Sequence, residues 1–383
     1  MKENDFVQKH KHIVFCIEHY NPLGVVRTLG ENGIQPELIV IRSSRKITSK
    51  SKYARICHFV NSVEEGYSYL LETYGHEGYI PFVYTADDQI TNFLDSKYDE
   101  LNGKFYFYNA GQAGRVAEFQ NKDNILKLAK KHGLQYLKTF AVDVGEIPEG
   151  LEYPIITKAI ISTIDNWKGD MIICHNESEL REAYKKIRSS RVLLQKYIEK
   201  KNELCLEGVS VNKGNNVLIS IASSYNYLLE DSYSPYMTVQ NLHNEKIENS
   251  LKEMFKEIQF EGIFEVEFLV DRDDQLYFLE INFRNSTWSY ASTVAGMPLP
   301  VLWSKGMLNP SAIDSAYQAI TTPFTAMVEF DDYVKRVKMH KATIWKWISD
   351  CRQCKCRYYL GRHDSGPFFS MLGSIVSSKF RKL

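Results

Sequence analysis

The stretch from Phe264 to Arg284 constrains this chain more than any other. It consists of Phe264-Glu265-Val266-Glu267-Phe268-Leu269-Val270, the break Asp271-Arg272-Asp273-Asp274, and Gln275-Leu276-Tyr277-Phe278-Leu279-Glu280-Ile281-Asn282-Phe283-Arg284. Two β-rich apolar runs joined by four polar residues read as an antiparallel hairpin. If Val270 pairs with Gln275, Glu267 faces Phe278 and Glu265 faces Glu280. Glu267 and Glu280 then sit diagonally on one face, roughly 7–8 Å apart at the backbone, and Asn282 shares that face two residues on. Acids crowded into a half-buried sheet destabilise it unless a cation compensates them. A hard dication such as Mg²⁺ takes one or two carboxylates plus substrate phosphates. A plainly hydrated strand pair fits poorly, because the flanking residues are apolar and the third polar group is an Asn in register.

Composition narrows the class. With 44% apolar and 25% charged residues, the 383-residue chain is an ordinary globular one, long enough for two or three domains. Its 47 basic and 47 acidic residues cancel, so no nucleic-acid field is implied. No apolar run reaches about 18 residues, the length of a membrane span. The polar start Met1-Lys2-Glu3-Asn4-Asp5 lacks a signal-peptide core. Seven cysteines in so long a chain are not a secreted disulfide framework. A cytoplasmic location is the expectation.

The first 118 residues read as an α/β layer. His12-Ile13-Val14-Phe15-Cys16-Ile17 is a buried strand, followed by a loop Asn21-Pro22-Leu23-Gly24 and a helix over Val25-Val26-Arg27-Thr28-Leu29. Leu38–Ile41, Ile56–Val60, Phe82–Tyr84 and Phe105–Tyr108 are further apolar runs. Strands alternating with helices imply a mostly parallel sheet, whose ligands bind beyond the carboxyl ends of the strands. Two segments sit there, Asn21–Gly24 and Thr85-Ala86-Asp87-Asp88. Each is either a substrate-facing loop or ordinary turn chemistry, with Asp88 as a helix cap.

Between this layer and the hairpin lie further polar signals. Asn121-Lys122-Asp123 opens an amphipathic helix that stops near Gly133. Tyr153-Pro154-Ile155-Ile156-Thr157-Lys158 is a short strand ending in a lysine, which needs an anion or water there. Val192-Leu193-Leu194-Gln195-Lys196-Tyr197-Ile198-Glu199 and Asn202-Glu203-Leu204 follow.

The order Lys, Lys, Gln-x-x-Ile, Glu, Glu, Glu-x-Asn-x-Arg over residues 119–305 resembles the ATP-grasp superfamily of carboxylate–amine ligases. The resemblance implies an N-terminal parallel-sheet α/β domain (1–118), two ATP-grasp lobes (119–205 and 206–310) and a C-terminal extension (311–383). It implies ATP as substrate and Mg²⁺, or Mn²⁺, held by Glu267, Glu280 and Asn282. Lys122 and Lys158 would reach phosphates, and Lys158 and Arg284 would serve catalysis. The stretch Ala159–Asp170 would be a phosphate-covering loop, with Ser162, Thr163 and Lys168 in contact, or else a plain hairpin turn. Gln195, Lys196 and Ile198 would form the adenine hinge, contacting the base through backbone groups. Glu203 or Glu199 would take the ribose hydroxyls. Arg284, planar and bidentate, would hold a substrate carboxylate.

The reaction so implied joins a small-molecule carboxylate to an amine through an acyl phosphate. An ATP-binding module without ligase chemistry and an ATP-grasp phosphoryl transferase are the alternatives, and a homodimer is compatible with any of them. Glu265 stands where dipeptide ligases often carry Arg, which argues against a D-alanine–D-alanine ligase. The tail His363-Asp364-Ser365-Gly366-Pro367-Phe368, with Asn21–Gly24, resembles the D-aspartate ligase-like branch. Cys351-x-x-Cys354-x-Cys356 lacks a second pair at zinc spacing and reads as a reduced, basic surface segment.

Overall fold

The computed structural model describes residues 7–160, 170–229 and 233–380, with side chains through residue 375. Its first sheet is β1 (His12–Cys16), β2 (Glu37–Ile41), β3 (Ile56–Val60) and β4 (Phe82–Tyr84), ordered β3-β2-β1-β4. All its pairings are parallel, and β1 and β4 are buried throughout. Such strands are covered on both faces, which is why they read as continuous apolar runs. Phe105–Tyr108 is no strand; Tyr106 makes only an isolated bridge to Phe82. Helix α1 (Tyr20–Glu31) begins earlier than the sequence suggests, so Asn21–Gly24 is its first turn rather than a loop. His19 caps it, and Pro22 is tolerated there because first-turn N–H groups have no helical partner. Helices α2 (Val63–Tyr74) and α3 (Asp88–Ser96) follow, and Asp87, not Asp88, caps α3 by accepting from Ile90 N–H.

A short helix α4 (Arg115–Gln120) leads to α5 (Lys122–Lys131). Asn121 caps α5, Asp123 stands in its first turn and Lys130 and Lys131 in its last, all complementary to the helix dipole. Ile125, Leu126, Leu128 and Ala129 are its buried face. The next sheet contains β5 (Thr139–Asp143), β6 (Ile155–Lys158), β7 (Ile173–Cys174) and β8 (Arg191–Lys196), with α6 (Glu177–Tyr184) between β7 and β8. Its order is β5-β8-β6-β7 and its pairings are antiparallel.

The largest sheet has seven strands. They are β9 (Asn202–Val211), β10 (Asn216–Tyr225), β11 (Tyr236–Gln240), β12 (Gly262–Val270), β13 (Leu276–Asn282), β14 (Phe324–Met327) and β15 (Cys356–Arg357). The order β13-β12-β9-β10-β11-β14-β15 places the acidic hairpin β12–β13 at one edge. Helix α7 (Glu245–Ile258) precedes β12, while α8 (Ser289–Val294) and α9 (Leu299–Leu308) follow β13. No described helix is long and apolar enough to cross a membrane.

The last seventy residues are tied into both ends of the molecule. Strands β14 and β15 extend the large sheet, α10 (Ile344–Gln353) lies between them, and α11 (Gly366–Phe380) closes the chain. Cys354 and Cys356 are buried, so this is not the basic surface segment that the spacing suggested. Cys354 Sγ–H points at the carbonyls of Thr325 and Cys356. Among the described residues no three His, Cys, Asp or Glu side chains are arranged to hold a metal ion.

Asp364 forms a buried ion pair with Arg27 of α1, Nε to Oδ2 2.8 Å. Arg27 also donates to the carbonyls of Tyr358, Tyr359 and Asp364. Asp364 accepts from Ser51 Oγ–H and Lys52 N–H. Both side chains of the pair are 1% exposed, so removing one partner strands a charge away from water. Asp364→Asn is expected to lower unfolding stability by about 3–5 kcal/mol. Urea unfolding checks this, and a loss as small as that of an exposed pair such as Arg181–Glu177 would show that the latch bears little load.

Candidate functional site

The hairpin places its acids closer than alternation alone predicts. The register runs Glu265–Asn282, Val266–Ile281 and Glu267–Glu280, then shifts to Phe268–Phe278. Val270 pairs with Leu276 rather than Gln275, and Leu279 is the extra residue of a bulge. Glu267 and Glu280 are therefore directly opposite, not diagonal. The outer edge of β13 is covered where Phe278 N–H donates to Gln135 O at 2.8 Å. The same docking brings α5 across β13 and sets Lys122 Nζ 3.0 Å from Glu280 Oε2.

One ion pair and three crowded carboxyls follow. Glu280 pulls the Lys122 pKa up, and Lys122 holds the Glu280 carboxyl below its usual range. Glu267 has no ion-pair partner among the described residues; its Oε1 accepts from Asn282 Nδ2–H at 2.9 Å. Burial, then Glu280, pushes its pKa well up. The other Asn282 N–H reaches Glu265 Oε2 at 3.0 Å. Across the sheet β9 sets Glu207 opposite Glu265 and Cys205 opposite Glu267. Glu207 is fully buried and accepts Ser286 Oγ–H at 2.6 Å and Ser289 Oγ–H at 2.7 Å. Burial raises the pKa of both Glu207 and Glu265, and the neighbouring Glu207 raises that of Glu265 further.

Glu265, Glu267, Glu280 and Asn282 border a cavity of about 430 Å³, which also takes in His19, Asn21, Asp88, Lys122, Glu203, Tyr225, Arg284 and Trp288. Glu203 is half-buried at its wall and pairs with Lys200 at 2.5 Å. Glu199 instead is exposed and pairs with Arg272 beside the hairpin turn, away from the cavity lining. Lys158 Nζ donates to Gln195 Oε1 at 2.7 Å, and Gln195 Nε2–H to Thr139 Oγ1 at 3.0 Å. Burial and the nearby Lys122 lower the Lys158 pKa to about 8. Lys196 N–H is already bonded to Lys138 O, and its Nζ to Tyr153 O. That leaves the half-buried Ile198, just past β8, as the more available hinge backbone. Ser162, Thr163, Lys168 and Gly169 lie outside the described residues.

Arg284 is not the free guanidinium expected beside the metal face. Its Nε and Nη2 donate to Asp88 Oδ1 and Oδ2 at 2.7 and 3.1 Å. Nη2 also approaches Asn282 Oδ1 at 3.4 Å. Sequence reasoning missed this Asp88 contact, which bridges 196 positions. It missed Glu207 as well, although Glu203-x-Cys205-x-Glu207 is a period-two run on one strand face.

Comparison with known proteins agrees with this geometry. Residues 120–305 match the family described as carbamoyl-phosphate synthase L chain, ATP binding domain. They form an ATP-grasp domain. An N5-carboxyaminoimidazole ribonucleotide synthase of Staphylococcus aureus (strain MRSA252) is 34% identical over 145 residues. That match spans 36% of each chain. One from strain COL is 30% identical over 147 residues, 37% of each. The chain thus spans little more than a third of the length of these curated relatives. Among solved structures, an L-amino acid ligase from Bacillus licheniformis superposes with TM-score 0.63 at 14% identity, covering 83% of this chain and 80% of that one. The S. aureus N5-carboxyaminoimidazole synthetase gives 0.63 at 17%, covering 86% of each. At such identities these likenesses establish the ATP-grasp architecture, with its N-terminal parallel-sheet domain, and nothing finer.

The crowded acids give the ATP-grasp domain a pH signature. A carboxyl whose pKa is raised by folding binds its proton more tightly in the folded state than in the unfolded one. Its stabilising contribution is complete below the ordinary value of 4.5 and is lost as pH rises through the raised folded value. Without ligands, the thermal midpoint is expected to fall between about pH 5 and about pH 8. Glu207→Gln should flatten that fall, because one carboxyl and its repulsion on Glu265 are both removed. An unchanged slope in melting curves across this range would place the effect elsewhere.

Proposed function

We propose that the chain is an ATP-dependent ligase that joins a small-molecule carboxylate to an amine. The observation that carries this reading is the meeting, in one cavity, of the Lys122–Glu280 pair, the uncompensated Glu267 and the Arg284 fork. The donor set fits Mg²⁺: two opposed carboxylates and an amide, all hard oxygen groups, one carboxylate lacking a cation. Glu267, Glu280 and Asn282 would hold Mg²⁺, or Mn²⁺, which when bound neutralises phosphate charge.

The remaining work falls to this chain's side chains. Lys122 and Lys158 would bind ATP phosphates, and the backbone at Lys196 and Ile198, next to Gln195, would seat the base. Glu203 would accept the ribose hydroxyls. Arg284 would orient the substrate carboxylate, whose oxygen attacks the γ-phosphorus as the bond to the β–γ bridging oxygen breaks and ADP leaves. The amine nitrogen then attacks the acyl carbon, phosphate leaves with its electron pair, and the amine gives up a proton. Positioning and charge neutralisation carry most of such a reaction. Lysines at phosphates and a planar Arg at the carboxylate suit that division.

The relatives lend support through the activities they are named for, an L-amino acid ligase and a carboxyaminoimidazole ribonucleotide synthase. A further relative, from Aspergillus clavatus, is described in complex with ADP and an aminoimidazole ribonucleotide. Within the family, our preferred comparison is the D-aspartate ligase-like branch, on the Asp364–Phe368 tail and on Asn21 at the cavity wall.

The test is phosphate release from Mg-ATP against a panel of carboxylates, each with a panel of amines. Carboxylate-dependent ADP formation is expected, and Glu280→Gln should abolish turnover while ATP binding stays within about tenfold. ATP binding with no carboxylate-dependent turnover anywhere in the panel would favour a non-catalytic module. A second test uses Lys158. Phosphate favours the charged ammonium, so ATP affinity should hold steady below about pH 8 and weaken as pH rises past it. Lys158→Arg should remove that weakening, and calorimetric titrations flat to about pH 9.5 in the unaltered protein would take Lys158 out of the phosphate site.

A further inference from the structure

We infer that Asp88 and Arg284 together recognise an α-amino acid, Arg284 taking its carboxylate and Asp88 the ammonium one carbon away. This deepens the ligase reading above and rests on it.

The pair stands at the wall of the cavity, where the start of α3 in the N-terminal domain meets the end of the hairpin. Asp88 stands in the first turn of α3 but does not cap it, since Asp87 is the cap. Its other polar neighbour is Gln120 Nε2, at a long 3.5 Å from Oδ1. Both carboxylate oxygens are instead turned to Arg284. Asn21, also in the cavity lining, is fixed by Thr287, whose Oγ1–H donates to Asn21 Oδ1 at 2.9 Å.

The charges around the cavity decide what can enter. Its lining holds five carboxylates, Asp88, Glu203, Glu265, Glu267 and Glu280, against two cationic side chains, Lys122 and Arg284. Lys122 is paired with Glu280. His19, pushed down to about 4 by burial and by Arg284, is neutral at pH 7. Arg284 is therefore the group placed to receive a substrate carboxylate, and it can do so only by letting go of Asp88. A plain acid would leave Asp88 unpaired in a cavity already crowded with carboxylates. An α-amino acid brings a replacement cation with it. Its two charges lie about as close together as those of the Asp88–Arg284 contact, so each half of the protein pair exchanges one partner for another. The site thus rejects an analogue lacking the ammonium by leaving a half-buried charge uncompensated.

The competing role for the pair is a latch that fixes the hairpin to the N-terminal domain. A latch lowers turnover of all substrates alike, whereas a recognition pair changes their ratio. The experiment therefore compares matched substrates on the full chain: amino acids, the corresponding 2-hydroxy acids and the corresponding desamino acids, with phosphate release from Mg-ATP as readout. The expected result is a preference of at least about tenfold in kcat/KM for the best amino acid over its hydroxy analogue. Asp88→Asn should cut that ratio to within about threefold, and Asp88→Glu, which keeps the charge, should retain most of it. Equal use of both substrates by the unaltered protein overturns the inference and leaves the ligase reading standing. An undiminished ratio in Asp88→Asn, with both rates lowered equally, makes the pair a latch and also overturns it. Calorimetric titration of the same compounds into the unaltered protein needs neither turnover nor a stable variant. Tighter binding of the amino acid supports the inference, and equal or absent binding of both defeats it. No phosphate release with any carboxylate overturns the ligase reading separately.

Discussion

On the face shared by β9, β12 and β13, two buried glutamates, Glu207 and Glu265, stand beside two half-buried ones, Glu267 and Glu280, and Lys122 pairs with one of the four. Glu207, Glu265, Glu267 and Glu280 cannot all ionise at once so close together, and Lys122 satisfies only one of them. The surrounding structure is organised to contain that conflict. Ser286 and Ser289 give hydrogen bonds to Glu207, Asn282 bridges Glu265 and Glu267, and α5 is docked so that Lys122 meets Glu280. Crowding of this kind lowers stability in the free protein and favours any cation that arrives. The same arrangement thus weakens the fold and prepares the site, as strained functional sites commonly do.

The parts of this arrangement that obey local rules were legible. The hairpin announced itself by β-rich runs around a polar break, and α5 by its Asn121 cap, its acidic first turn and its basic last turn. The four-stranded parallel sheet followed from buried runs alternating with helices. Register was not legible, because the bulge at Leu279 carries no glycine or proline to mark it. The first turn of α1 was taken for a loop because Pro22 and Gly24 look like breakers, although proline is harmless where N–H groups are free of helical partners. The partner of Arg284 was beyond reach in principle, since no local pattern connects it to Asp88 in another domain.

The cysteines near the C-terminus show the same limit from the other side. Their spacing suggested exposure, yet Cys354 and Cys356 are covered by the strand pairing that carries β14 and β15 onto the large sheet. Glu329 helps hold that region by accepting the N–H groups of Tyr358, Tyr359 and Leu360. A tail fragment that resembled a family ending proves to hold a structural post, with Asp364 gripping Arg27.

That grip joins two regions that the chain separates widely. Arg27 lies on the same helix as Asn21, roughly two turns further along, and Asn21 is part of the cavity wall. The tail therefore sets the seating of a helix whose other end lines the cavity. Substitutions in the tail have a mechanical route to the shape of that cavity that leaves the acidic hairpin untouched. Divergence in the cavity's outline can begin in the last forty residues, far along the chain from the acids that line it, while the ATP-grasp segment stays as it is.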